Sequence, residues 1–432
     1  MMLRTHYVSE INPGMNGQEV ALAGWVHEIR NLGKICFIQL RDRTGIAQVT
    51  AKKGVVPDEV IAKMNFVKES VVQVKGKVVA SAQAKKGYEI VPSSVVDLNP
   101  VEGVIPFEVT GKVPAEMDVR LDNRHIDLRR LETNAVFRVQ HEVLKAFRET
   151  LMGLGFEEIR PPCIAAAATE GGTEVFKVEY FEKHAFLVQS PQLYKQLAVI
   201  GGMDKVFMTV PVFRAEKHNT TTHLNEVLQM DIEMGFCDHN DAMDVLAKVA
   251  VNVLADVKKN CSEALKTLNV EIKVPETVPR YTYSQCVEKL KGAGAAMEWG
   301  QDFTKEQEKK LIELIPEELF FITEWPTACR AFYSMPVEGK PELCNAFDLM
   351  YRGLELASGA QRIHKPGILV EALKSRNLNP DDFEFYIRAF KMGAPPHAGW
   401  SIGLERLTMK LTGMENIREA CLFPRDRTRL TP

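Results

Sequence analysis

Two arginines, each at the end of an apolar strand, are the residues of this chain best placed to do chemistry. Near the C-terminus it reads Gly399-Trp400-Ser401-Ile402-Gly403-Leu404-Glu405-Arg406, a glycine-punctuated strand running into a Glu-Arg pair that opens a helix. Far upstream, Val212-Phe213-Arg214-Ala215-Glu216 leads into a polar loop, Lys217-His218-Asn219-Thr220-Thr221-Thr222-His223-Leu224-Asn225-Glu226. A guanidinium held in such a setting can lie over a nucleotide phosphate or stack on a base, because it is planar, always charged and grips oxygens in pairs. No G-x-x-x-x-G-K-[ST] run and no G-x-G-x-x-G after a strand occurs, so arginines must bind the phosphates of any nucleotide. Alone, each Arg-Glu neighbourhood reads as a surface ion pair; two of them suggest an antiparallel ATP-binding scaffold.

The elements that must carry these residues fall into three stretches. Residues 18–98 alternate apolar and polar positions in five short segments, with Arg41-Asp42-Arg43-Thr44-Gly45 as a hairpin turn and a helix expected over Pro57 to Lys68. Five strands with one helix in that position describe an oligonucleotide-binding β-barrel over 1–98. Residues 99–122, broken by Pro100, Gly103, Pro106, Gly111 and Pro114, read as a linker. From Asn134 to Leu154 the apolar residues Val136, Val139, Val143, Phe147, Leu151 and Leu154 recur at helical spacing, and Phe156 to Pro162 reads as an edge strand stopped by prolines. Strands and helices then alternate without βαβ regularity, which predicts an antiparallel-sheet domain over 123–432 and an α+β chain overall.

Composition narrows the class. With 45% hydrophobic and 26% charged residues and no run of membrane-spanning length, the 432-residue chain reads as a soluble cytoplasmic protein. Its eight cysteines include no C-x-x-C pair, which argues against a zinc site or a disulfide framework. A net charge of −3 excludes bulk electrostatic coating of nucleic acid, whereas the excess of 14 Lys+Arg over 11 Asp+Glu in residues 1–112 fits a local contact.

Taken together, these segments resemble the class II aminoacyl-tRNA synthetases, and within them the aspartyl enzymes of the archaeal and eukaryotic type. The helix running to Pro162 looks like motif 1, Phe213-Arg214-Ala215-Glu216 like motif 2 and Gly403-Leu404-Glu405-Arg406 like motif 3. Thr169 to Glu174, Ser190-Pro191-Gln192-Leu193-Tyr194-Lys195, Ser358 to His364 and the terminal Phe423 to Pro432 extend the likeness along the whole chain. Thr222 departs from it, since many relatives carry Arg before His-Leu.

The resemblance implies activation of L-aspartate by ATP, followed by transfer to tRNA. It places Arg214 on the α-phosphate and the substrate carboxylate, and Arg406 near the γ-phosphate. Glu216, Thr222, His223, Leu224, Glu355, Gly403, Leu404 and Glu405 join them around ATP, and His218 has no assigned role. Mg2+ falls to Glu355 and Ser358, with Asp348 a less certain candidate, because an acid at a strand start is more often solvated. For aspartate, Arg362 would grip the side-chain carboxylate bidentately beside Lys195, Glu170 would pair with the ammonium, and Ser190, Gln192, Asp231 and Ser358 would complete the lining. In the barrel, Arg30, Phe37 and Gln39 would take the anticodon. His27, read in Gly24-Trp25-Val26-His27, points to an enzyme that charges tRNA(Asn) as well as tRNA(Asp), while Lys85 points to strict charging of tRNA(Asp). Relaxed charging implies an Asp/Glu-tRNA amidotransferase as partner, and motif 1 implies a homodimer without membrane attachment. An asparaginyl enzyme, an aspartate-activating paralogue outside translation and a plain RNA-binding protein are the competing readings.

Overall fold

A computed structural model describes residues 3–166, 174–217 and 220–432. Residues 1–134 with Pro432 form one compact unit and residues 135–431 a second.

In the first unit, β1 (Glu19–Asn31), β2 (Ile35–Asp42), β3 (Gly45–Lys52), β4 (Val71–Ala80) and β5 (Tyr88–Asn99) close into a barrel of order β1-β2-β3-β5-β4. Alternation builds it: Cys36, Ile38 and Leu40 of β2 are buried in the barrel core while Phe37 and Gln39 between them face outward. The hairpin tightens to Arg43-Thr44, because Asp42 Oδ1 accepts from Thr44 N at 2.7 Å and Gly45 N at 3.2 Å. The helix expected over 57–68 shortens to α1 (Asp58–Ala62). Met64 turns into the core, and a left-handed Glu69 (φ 70°) aims its carboxylate at the buried Arg41, 2.7 Å away. Beyond the barrel lie α2 (Met117–Asp122), within the expected linker, and α3 (Arg124–Asp127).

The long helix is α4 (Leu131–Gly153). The second unit is built on one large sheet that includes β6 (Glu157–Glu158), β10 (Lys205–Phe213), β11 (Glu226–Gly235), β12 (Arg280–Thr282), β13 (Leu319–Pro326), β14 (Pro336–Val337), β15 (Lys340–Tyr351), β16 (Leu354–Gln361) and β17 (His397–Gly403). Its order is β12-β13-β15-β16-β17-β11-β10-β6, with β14 beside β15, and it is antiparallel except at β12/β13 and β10/β6. The strand expected over Phe156 to Pro162 is thus two residues of edge. A separate small sheet joins β7 (Ile164–Ala165), β8 (Lys177–Tyr180) and β9 (Lys183–Leu187).

One face of the large sheet is apolar. Met230 and Ile232 of β11 and Trp400 and Ile402 of β17 pack with Val139, Val143 and Phe147 of α4 and with Leu246 and Val249 of α6 (His239–Asn260). Trp400 is fully buried, and its Nε1 donates to Ala242 O at 3.1 Å. The remaining helices are α5 (Gln192–Ala198), α7 (Ser262–Leu268), α8 (Tyr283–Gly292), α9 (Lys305–Leu314), α10 (Pro366–Ser375), α11 (Glu384–Lys391) and α12 (Leu404–Thr412). Among the described residues no helix is long and apolar enough to cross a membrane.

Candidate active site

The other face of the sheet carries one polar row, set by strand register. Asp348 of β15 pairs with Ser358 of β16, Ser358 with Ser401 of β17, and Ser401 with Asp231 of β11. Ser401 Oγ donates to Asp231 Oδ2 at 3.0 Å. Ser358, Ser401 and Asp231 of this row floor a cavity of about 300 Å³. Glu355 and Ser358 both line it although three residues apart, a spacing that a regular strand would send to opposite faces. The register shift opposite Leu349/Met350, where Ala357 pairs with Leu349 and Glu355 with Met350, inserts one extra residue and brings both to the same side.

At one end stands a buried charge cluster. Lys195 of α5 donates to Asp231 Oδ1 at 2.7 Å and to Trp400 O at 3.2 Å, and lies 3.7 Å from Glu233 Oε2. Arg362 donates from Nε and Nη2 to the two oxygens of Glu233, at 2.9 and 3.2 Å. The bidentate edge expected to grip a ligand carboxylate is therefore committed to Glu233, and what Arg362 can still offer a ligand comes from its Nη1 side. Burial alone would raise the Glu233 carboxyl, but the Arg362 and Lys195 charges hold it below its ordinary value. A Cβ on Gly399 would stand 2.3 Å from Glu233 Oε2, so only glycine fits there. Glu233 went unnoticed in the sequence, yet an acid two residues after Asp231, on the same face of a strand whose alternate positions Met230, Ile232 and Met234 are apolar, was the available signal.

A neutral chain fixes the nearby Gln192. His397 Nδ1 must donate to Pro395 O (2.7 Å), so its Nε2 accepts from Gln196 Nε2 (2.8 Å). Gln196 Oε1 then accepts from Tyr386 Oη (2.8 Å) and Gln192 Nε2 (2.9 Å). Ser190 Oγ accepts from Gln192 N at 3.2 Å, and both Ser190 and Gln192 line the cavity.

The opposite end holds the two arginines. Arg214 and Arg406 line the cavity, and among the described residues neither guanidinium has a carboxylate within ion-pair distance. The surface-ion-pair reading therefore fails. Glu405 is buried and accepts from Leu228 N at 3.1 and 3.2 Å, its carboxyl pushed up to about 7 by burial. Glu216, Thr222, His223, Leu224 and Gly403 also line the space. Leu404 does not: at the first turn of α12 its side chain is buried in the apolar core, away from its expected place beside ATP. Burial first, then the fields of Arg406, Lys305 and Arg214 against that of Glu216, lower the pKa of His223, leaving it a neutral imidazole. The C-terminal segment braces this loop: Asn225 N donates to Arg425 O at 2.9 Å, and Arg418 bonds both Asp426 Oδ2 (2.7 Å) and Thr220 O (3.0 Å). Glu170 and His218 lie outside the described residues.

Asp348 sits well inside β15 and is buried, not solvated at a strand start. Burial raises its carboxyl against the pull of Arg330, which contacts Oδ2. Its Oδ1 is buried without a hydrogen-bond partner. Together with Glu355 and the Ser358 hydroxyl this makes a hard-oxygen donor set, which fits magnesium. Among the described residues no three His, Cys, Asp or Glu side chains form a ready cage, so the remaining ligands of such an ion would be phosphate oxygens and water.

The barrel has its own groove. Arg30, Phe37 and Gln39 line it with Glu28, Gln48 and Thr50. Phe37 is half-buried, which rules out a core role and leaves a ring face for stacking. His27 and Lys85 are not in this lining. A bulge in β1 between Val26 and Glu28 turns His27 toward Arg41, whose Nη1 lies 2.7 Å from its Nδ1. Arg41 thus takes up one of the two ring nitrogens of the half-exposed His27 and couples the imidazole to the Arg41–Glu69 pair.

An antiparallel sheet with two arginines that have no carboxylate partner among the described residues, set over an acidic, oxygen-donor floor, together with a nucleic-acid-type barrel, defines a synthetase of class II architecture. The chain belongs to the tRNA synthetases class II (D, K and N), whose family model matches residues 116–427, and residues 20–98 match the OB-fold nucleic acid binding domain. It is 50% identical to the aspartate–tRNA(Asp/Asn) ligase of Methanocaldococcus jannaschii, over 99% of this chain and 98% of that one. With the ligase of the same name from Archaeoglobus fulgidus it shares 48% identity, over 99% of each. Among solved structures, asparaginyl-tRNA synthetase from Pyrococcus horikoshii bound to asparaginyl-adenylate superposes with a TM-score of 0.94 at 32% identity, covering 100% of both chains. The aspartyl tRNA synthetase from Entamoeba histolytica gives 0.90 at 32%, over 100% of this chain and 93% of that one. Enzymes of this family use ATP as a substrate and are generally magnesium-dependent.

Proposed function

We propose that the chain activates L-aspartate with ATP, forming aspartyl-adenylate and pyrophosphate, and then esterifies the terminal ribose of tRNA(Asp) and of tRNA(Asn). The observation that carries the choice of aspartate is the pair of buried cations, Lys195 and Arg362, at the cavity floor. Asp231 and Glu233 already answer these charges, and a side-chain carboxylate would accept from the donors left over, chiefly on the Nη1 side of Arg362. A neutral amide leaves buried donors poorly paired, a loss that favours aspartate. Ser190, Gln192 and Asp231 line the amino-acid end, and Glu170 takes the ammonium. Arg214 holds the α-phosphate and the attacking carboxylate, and Arg406 the terminal phosphate. Thr222, His223, Leu224, Glu216 and Gly403 surround the nucleotide, while Glu405 works from behind by fixing Leu228. Magnesium, held by Glu355 and Ser358 with Asp348 beneath, would neutralise phosphate charge. Catalysis is then positioning plus charge stabilisation, with no protein group required to move a proton.

Relatives named for both tRNAs support the relaxed charging, which calls for an amidotransferase to convert the product on tRNA(Asn). Work on tRNA and eight cysteines that form no disulfide among the described residues suit the cytoplasm. The likeness to the Pyrococcus asparaginyl enzyme keeps an asparagine substrate as the second reading. ATP–pyrophosphate exchange driven by aspartate and by asparagine in parallel separates the two, and the proposal requires a preference for aspartate of about a hundredfold or more. Charging of both tRNA transcripts with aspartate, at efficiencies within about tenfold in one salt buffer, is the matching result for relaxed recognition.

Two further expectations attach to this reading. Phe37→Ala should weaken tRNA binding by about 1–3 kcal/mol, the value of one base stacked on an aromatic ring, and leave exchange untouched. Equal tRNA affinity would remove the barrel groove from recognition. The enzyme should also be a homodimer joined through α4 and the β6 edge, whose outer backbone groups need a partner. Light scattering should give twice the 48.6 kDa chain mass, and an active monomer would refute it.

A further inference from the structure

α9 begins beside the cavity mouth and carries two residues toward it. Its first turn is fixed by a capping box, in which Thr304 Oγ1 accepts from Gln307 N and the Gln307 side chain accepts from Thr304 N. Residues three apart share a helix face. One of them, Glu308, is pushed up to about 7 by burial and by the Glu355 carboxylate. The other is Lys305. Its Nζ donates to Thr222 Oγ1 at 2.7 Å, and Thr222 Oγ1 lies 3.2 Å from His223 Nδ1.

The contacts continue to Arg406. Its Nη2 stands 3.4 Å from His223 Nε2. Arginine only donates, so Nε2 of the neutral ring accepts and Nδ1 carries the proton, directed at Thr220 Oγ1, 2.7 Å away. Lys305 and Arg406 are thus two cations bracketing one neutral imidazole and one hydroxyl. Unlike Lys310 on the same helix, which lies 2.5 Å from Glu313, Lys305 has no carboxylate within ion-pair distance among the described residues. Its ammonium has spent one donor on a neutral hydroxyl and keeps two for an anion.

We propose that Lys305 is a substrate-binding residue that, with Arg406, holds the terminal phosphates of ATP at the mouth of the cavity. The inference rests on the assignment of this cavity to ATP. A charged phosphate gains from a compact ammonium on a flexible stem, which can follow the polyphosphate as it moves.

The test compares Lys305→Ala, Lys305→Gln, Lys305→Arg and Thr222→Val with the parent, by aspartate-dependent ATP–pyrophosphate exchange and by calorimetric titration with Mg-ATP. In Lys305→Ala and Lys305→Gln both the KM and the Kd for ATP should rise about tenfold, the scale of one lost charge-assisted contact at a partly wet site. Lys305→Arg should restore both to within about twofold, and the KM for aspartate should stay within about twofold throughout. Thr222→Val, which cuts the tether but keeps the charge, should cost clearly less than Lys305→Ala. Unchanged ATP binding in Lys305→Ala by a parent that binds ATP overturns the inference alone. So does Thr222→Val matching the full loss, since the lysine would then act only by shaping the loop. A parent that neither binds nor exchanges ATP overturns the functional assignment and this inference with it.

Discussion

Arg214→Ala and Arg406→Ala are each expected to lower aspartate-dependent ATP–pyrophosphate exchange by about a hundredfold or more, equivalent to about 3 kcal/mol of lost transition-state stabilisation, while the protein stays folded. The two halves of that expectation come from the same geometry. Both guanidinia line the cavity half-exposed, and among the described residues neither has a carboxylate partner. Removing either one therefore strands no buried charge, and thermal unfolding should shift by no more than a few degrees. Charge that develops on the phosphoryl oxygens loses a preorganised donor that water cannot replace inside the site. Arg214→Lys should recover only part of the rate, because an ammonium cannot present two parallel donors. Near-parental exchange in a folded Arg214→Ala enzyme would show that the cavity is not where adenylate forms.

The second large effect is on stability. Glu233 is fully buried and is the shared counter-ion of Arg362, through two hydrogen bonds, and of Lys195. Glu233→Ala leaves two cations in the interior with only Asp231 to answer them, and should destabilise the second unit by roughly 3–5 kcal/mol. That corresponds to a fall in Tm of roughly 5–8 °C for a unit of this size. Glu233→Gln keeps the shape and one acceptor, so it should unfold later than Glu233→Ala while still losing most exchange, because Arg362 and Lys195 are no longer held in place. Scanning calorimetry on the two variants decides the matter, and a Tm within about 2 °C of the parent for Glu233→Ala would mean the cluster is solvated.

How much of this was legible in the chain differs residue by residue. The barrel could be read because alternation is local: Cys36, Ile38 and Leu40 inward and Phe37 and Gln39 outward follow from a period of two along one strand. Arg214 and Arg406 could be read for a similar reason, since each sits within a few residues of the strand end and turn that aim it. Leu404 could not, because the same short segment passes from strand to helix and its side chain goes to the apolar core.

What lay outside local reach depended on register and on loop-to-loop approach. Glu355 and Ser358 share a face only because β16 is bulged against β15, a fact of pairing between strands that neither strand shows alone. Glu233 becomes a counter-ion only when α5, the end of β16 and β17 converge on β11, and Gly399 is required only by that convergence. His27 is an unpaired ring in the sequence and a ligand of buried Arg41 in the barrel, because a one-residue bulge turns it there. Lys305 and Thr222 are 83 residues apart and meet through the closure of the chain over the sheet. The sequence alone thus determined the barrel's facing and the two arginines, whose placement is written within one period of strand or turn. Tertiary structure alone decided which charges neutralise one another, because Coulomb and hydrogen-bond partners are chosen by distance in space and not along the chain.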